Sequence, residues 1–118
     1  MIRHFKTAAA FRAWLDAHHA TATELWVGFF KKQSGRGGLT YREAVDQALC
    51  YGWIDGLAKG VDEVRYMQRF TPRRARSIWS AINRRRVGEL RESGLMTPAG
   101  LKASAADDGK TAPYSHEQ

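Results

Sequence analysis

Residues 40–71 change periodicity midway, and that change restricts the chain to one broad class of fold. Thr40-Tyr41-Arg42-Glu43 reads as a capping box, in which the Thr hydroxyl serves the N3 amide and the Glu side chain reaches back to the cap. Behind it Tyr41, Ala44, Val45, Ala48 and Leu49 share one helical face as far as about Tyr51. Gly52 then supplies the positive φ that ends the helix. From Ile54 to Val61 and from Val64 to Thr71 the period drops to two. Val64, Tyr66, Gln68 and Phe70 point one way, and Arg65, Met67, Arg69 and Thr71 the other. Asp62-Glu63 joins the two runs, so they read as a β-hairpin. A helix feeding a hairpin implies an α+β fold.

The flanks extend this pattern. Thr7 is the N-cap of a first helix ending near His19, with Phe11, Trp14, Leu15 and His18 as its apolar stripe. Leu25 to Phe30 is too short for a helix and rich in aromatic and β-branched residues, so it reads as a buried strand ending at Lys31-Lys32. Pro72 closes the hairpin because it has no N–H to give a ladder. A third helix is expected from Ala75 or Ser77 to Glu92, carrying Ile78, Trp79, Ile82, Val87 and Leu90 inward, with Gly94 as C-cap. Thr97-Pro98 opens a short last helix. From Ser104 onward the chain is small and polar and reads as a loose tail. The expectation is one α+β domain over 1–103 followed by a tail over 104–118. A small, mainly antiparallel sheet from 24–32, 54–61 and 64–71 packs against three or four helices. Its core is Trp14, Leu25, Val27, Phe29, Val45, Leu49, Trp53, Ile78, Trp79 and Ile82.

Composition narrows the functional classes. With 43% hydrophobic and 26% charged residues, the 118-residue chain can bury one core and is not a disordered segment. A single cysteine excludes an internal disulfide framework and a cysteine-built zinc site. No apolar run is long enough to span a membrane, and the first residues do not read as a secretory leader, so a cytoplasmic protein is expected.

The formal net charge of +7 is concentrated in one stretch. Nine arginines and no lysine lie between Arg65 and Arg91, with Glu89 as the only acid. Arginine's planar fork suits carboxylates, phosphates and aromatic faces. This run is either a solvated basic face or an anion-binding surface, and with Tyr66 and Trp79 nearby it also admits single-stranded nucleic acid. Cys50 reads as a small buried hydrophobe, and the adjacent His18-His19 diverge too far on a helix for joint metal binding. Asp55, flanked by Trp53-Ile54 and Gly56, is expected to pair with Arg69 or Arg73, to cap its own turn, or to act as a general base. Gly35-Arg36-Gly37-Gly38 could cradle a phosphate but lacks a nucleotide-binding spacing.

Several stretches carry a wider likeness. They are Phe11-Arg-Ala-Trp-Leu, Glu24-Leu-Trp-Val-Gly-Phe-Phe-Lys-Lys, Leu39-Thr-Tyr-Arg-Glu-Ala, Ala48-Leu-Cys-Tyr-Gly-Trp-Ile-Asp-Gly, Arg69-Phe-Thr-Pro-Arg-Arg-Ala-Arg-Ser-Ile-Trp-Ser-Ala-Ile-Asn and Gly94-Leu-Met-Thr-Pro-Ala-Gly. Through them the chain resembles the YdeI/OmpD-associated, or bacteriocin-protection, family over about residues 2–102. The resemblance implies a small bacterial cytoplasmic protein without an agreed reaction or cofactor. Many members continue into a further helical region. Ala9-Ala10 depart from the acidic residues that members tend to carry there. The functional expectation is a non-enzymatic binding or stress-protection protein whose surface for an anionic ligand or protein partner is built from Trp53, Asp55, Arg69, Arg73, Trp79 and Asn83, with no metal or cofactor. A nucleic-acid binder using Arg65–Arg91 and a small-molecule enzyme using Asp55 are the alternatives.

Overall fold

Each of the described α-helices begins where a hydroxyl can accept from an otherwise orphaned amide. The computed structural model describes residues 2–75 and 77–107. Helix α1 (Ala8–His18) starts on Thr7, whose side chain accepts from Ala10 N at 3.1 Å. In α2 (Tyr41–Cys50) both halves of the capping box form, at 3.2 Å from Glu43 N to Thr40 Oγ1 and 3.0 Å from Thr40 N to Glu43 Oε1. Ser80 caps α3 (Ala81–Glu92) and Thr97 caps α4 (Pro98–Ala105).

Four strands form one mainly antiparallel sheet: β1 (Ile2–His4), β2 (Leu25–Phe30), β3 (Trp53–Gly60) and β4 (Arg65–Pro72). Their spatial order is β1-β2-β4-β3, with β2–β4 and β4–β3 antiparallel and β1 parallel to β2. The fold is α+β, as the change of period implies. Alternation puts Leu25, Val27 and Phe29 on the inner face with Phe70 and Trp53, where they meet Phe11 and Leu15 of α1 and Val45 and Leu49 of α2. A β-bulge interrupts β3 after Asp55: the next paired residue on β3 is three along, on β4 only two.

Three expectations need correction. The strand β1 had no signal, because three residues with one apolar member carry no period. The third helix starts at Ala81, not at 75 or 77, because Ser80 is extended (φ −77°, ψ 155°) and caps Asn83 N. With that start the inward face is Asn83, Val87 and Leu90, so Ile78 and Ile82 fall outside the core at 43% and 57% exposed. Trp79 is buried as expected, but from the extended segment before the helix. The tail does not begin at Ser104, since α4 runs through Ala105 and Asp107 receives Arg84 at 2.6 and 3.0 Å. Residues 108–118 of that tail lie outside the described residues.

The C-terminus of α2 meets the N-terminus of α4 backbone to backbone. Thr97 gives both its N–H (3.0 Å) and its hydroxyl (2.6 Å) to the Cys50 carbonyl. Gly100 sits against the same turn, where a Cβ would collide with the Cys50 carbonyl and lie 2.9 Å from that of Leu49. Both obstacles are main chain and cannot rotate away. Gly100→Ala should therefore lower the unfolding free energy by about 2–3 kcal/mol in urea titration. An unchanged midpoint would mean the two helix ends are not in this contact.

A cationic cavity as the candidate functional site

The structure does not gather the six residues singled out in the sequence. Trp53 is in the core, its indole N–H donating to the His19 carbonyl at 3.3 Å. Arg69 lies on the outer face of β4, and its Nε donates to Glu24 at 2.7 Å. Arg73 lies flat on Trp79, its Cζ 3.6 Å from the ring centroid, with one nitrogen donating to the Ile78 carbonyl at 3.2 Å. Burial lowers the Arg73 pKa to about 10, against the opposing pull of Asp107 and Asp55. Asn83 is buried at the start of α3. Trp53 and Arg73 share a hollow of about 270 Å³, whereas Asp55 and Arg69 border a separate one and Trp79 a third.

The expected ion pair between Asp55 and Arg69 is corrected by register. Asp55 stands opposite Phe70 on β4, so it faces inward with Gln68, while Arg69 alternates outward. Its Oδ2 accepts from the Tyr41 hydroxyl at 2.7 Å and from Gln68 Nε2 at 3.1 Å. Arg73 senses this carboxylate as a charge. Asp55 is 3% exposed, so its work is to join α2, β3 and β4.

The arginine run disperses as well. Arg65 pairs with Asp62, Arg84 with Asp107, and Arg86 with both Asp46 and Glu89, at 2.6–3.0 Å. These partners lie on different elements, so the run is not one basic face. Arg76 lies outside the described residues. Cys50 is fully buried, and burial pushes its thiol pKa up, away from nucleophilic use. Among the described residues no group of three or more His, Cys, Asp and Glu could hold a metal.

A larger cavity, about 440 Å³, opens where β2 ends, between the glycine-rich loop and the first turn of α2. Phe29, Phe30, Tyr41 and Tyr66 provide aromatic surface, and Lys32, Arg36 and Arg42 provide charge, with no carboxylate in its lining. Gly38 takes φ 107°, a turn that lets the Leu39 N–H reach the Phe5 carbonyl at 3.3 Å and fastens the loop to the body. Arg36 lies 5.3 Å over the Phe30 ring and Arg42 5.9 Å over Tyr41. Tyr66 stacks on Phe29 at 5.3 Å. Tyr41 is fixed by Asp55 behind it, so the buried carboxylate orients the cavity wall without entering the cavity. Such a volume suits a small molecule, and the wall offers flat apolar contact beside fixed positive charge.

A family model described as "Domain of unknown function (DUF8412)" matches residues 3–103. The chain belongs to this family. Comparison with curated proteins and with solved structures gives no match. The DUF8412 match spans nearly all the described elements, including every residue that lines the cavity.

The glycine-rich loop is visible in the sequence, but its partners are not. Tyr41 reads in sequence as part of the apolar stripe of α2, Lys32 as the end of a strand and Arg42 as an interior position of the capping box. Only the tertiary packing of this loop against α2 and β4 brings them together.

Burial, then the hydrogen bond to Asp55, then the charge on Asp55 raise the Tyr41 pKa well above its usual value of 10.0. Above about pH 10 the unfolded chain loses this proton and the folded chain keeps it, so the stability linked to it is full below pH 10 and falls as pH rises. Tyr41→Phe should cost about 1–2 kcal/mol at pH 7 by leaving the buried carboxylate with one donor fewer. The gap between wild type and variant should then narrow above pH 10 in urea titrations. A constant gap from pH 7 to pH 11 would contradict the linkage.

Proposed function

We propose that this domain is a binding protein for a small anionic ligand that also carries a flat ring. The supporting observation is the cavity in which Lys32, Arg36 and Arg42 converge beside four aromatic side chains with no acidic residue in the lining. Guanidinium groups can hold a phosphate or carboxylate in a two-pronged grip, and the rings offer stacking area. Binding rather than turnover is the reading we favour. The phenol at the cavity wall is driven further from neutral titration by its surroundings, which makes it a poor proton carrier near pH 7. Asp55 is screened from a ligand by the same phenol.

This role is compatible with the stress-protection function implied by the resemblance to the YdeI/OmpD-associated family. It also fits a cytoplasmic setting, in which the single buried Cys50 would stay reduced. No helix among the described residues is long and apolar enough to cross a membrane.

Calorimetric titration with nucleoside monophosphates and with aromatic carboxylates tests the proposal. At least one of these probes should bind below millimolar concentration, and Arg36→Ala and Arg42→Ala should each weaken it about tenfold or more, the scale of one charge-assisted contact. Inorganic phosphate should compete. Absence of binding across both probe classes, or binding indifferent to both arginines, would overturn it.

A further inference from the structure

The inner face of the sheet is covered by α1 and α2, but the opposite face presents an ordered row of rings. Register defines it. Ile2, Trp26 and Arg69 stand side by side across β1, β2 and β4. One step along come His4, Gly28, Met67 and Lys59, and one step further Phe30 and Arg65. Gly28 serves as a seat: the His4 imidazole lies directly on it, where any Cβ would collide with the ring. The His4 ring is 6.3 Å from that of Phe30, so Trp26, His4 and Phe30 follow one another down the outer face of β2. Trp26, Met67 and Phe30 are half-buried, with His4, Lys59 and Arg69 exposed beside them. Lys59 Nζ sits 5.4 Å over the Trp26 ring.

We infer that this open sheet face is a stacking platform for a short single strand of nucleic acid. Successive strand positions on one face are about 7 Å apart, a spacing that an extended single strand can match with its bases. Every base has a face that can stack on an aromatic side chain, so such a surface needs no sequence code. Lys59 borders the row, as do Arg69 and Arg65, each beside its carboxylate partner (Glu24 and Asp62), and the chain's net charge of +7 favours a polyanion over a second copy of itself. A duplex hides its base faces and cannot use the rings. Phe30 also lines the cavity, but Trp26, His4 and Lys59 do not, so a test made at Trp26 and Lys59 lets this inference and the proposed small-molecule role fail separately.

Fluorescence anisotropy of a labelled eight-nucleotide oligouridylate, its oligothymidylate counterpart and a duplex of equal length tests it. Either single strand should bind more tightly than the duplex at 100 mM salt. Trp26→Ala should weaken single-strand binding about tenfold, the loss of one stacked base, and Trp26→Phe should restore most of it. Lys59→Gln should flatten the salt dependence by about one phosphate's worth. Circular dichroism of each variant establishes that the fold is kept. Equal affinity for the duplex, indifference of single-strand binding to Trp26→Ala in a folded variant, or Trp26-dependent dimerisation in place of binding would each overturn the inference.

Discussion

A single buried oxygen, Asp55 Oδ2, organises the centre of this molecule. Standing on β3, it accepts a hydrogen bond from a phenol on α2 and another from a side-chain amide on β4. A buried carboxylate is costly unless hydrogen-bonded, so the two donors and the acceptor require one another. Their mutual need sets the rotation of α2 against the hairpin. It also sets the direction in which the Tyr41 ring faces, and so the wall of the cavity of about 440 Å³. The bulge after Asp55 serves the same end: Gln68 Nε2 reaches both Asp55 and the carbonyl of Gly56, at 3.1 Å each, across the irregular step in β3.

What was legible in the sequence was local. Thr7, Thr40 and Thr97 marked helix starts because an N-cap needs only its own next few residues. Gly52 marked a helix end for a similar reason, and it takes φ 75°. The hairpin showed because alternation is a property of consecutive side chains. What failed were judgements about partners. Ile78 and Ile82 look like core residues until the cap at Ser80 rotates their segment outward. Asp55 and Arg69 look like natural mates until the pleat puts them on opposite faces. The cavity joins residues 29–42 to Tyr66, and nothing in either segment announces the other.

The arginines show how charge composition can mislead about surface. A run with one acid in its own stretch is met by acids drawn from elsewhere: Glu24 before β2, Asp46 on α2 and Asp107 after α4. The exposed Arg69–Glu24 pair contributes little stability, typically below about 1 kcal/mol, whereas the acids of the Arg86–Asp46 and Arg84–Asp107 pairs are largely shielded from solvent. Together these pairs absorb much of the positive field that the linear sequence promises. The charge left to meet a ligand is therefore decided by cations outside the run as much as within it, as Lys32, Arg36, Arg42 and Lys59 illustrate.

The last helix deserves a different description from that of a terminal flourish. Eight residues cannot hold a helix in water on their own. Here α4 is clipped at both ends, by Thr97 on the Cys50 carbonyl and by Asp107 on the Arg84 fork. The second clip lies four residues past the point at which the family match stops. Cutting the chain at residue 103 to follow that boundary would take away the last turn of α4 and its far anchor together, leaving a helix tethered by one end over the backbone of α2. The described fold thus reaches at least to Asp107, past the point at which the family match stops.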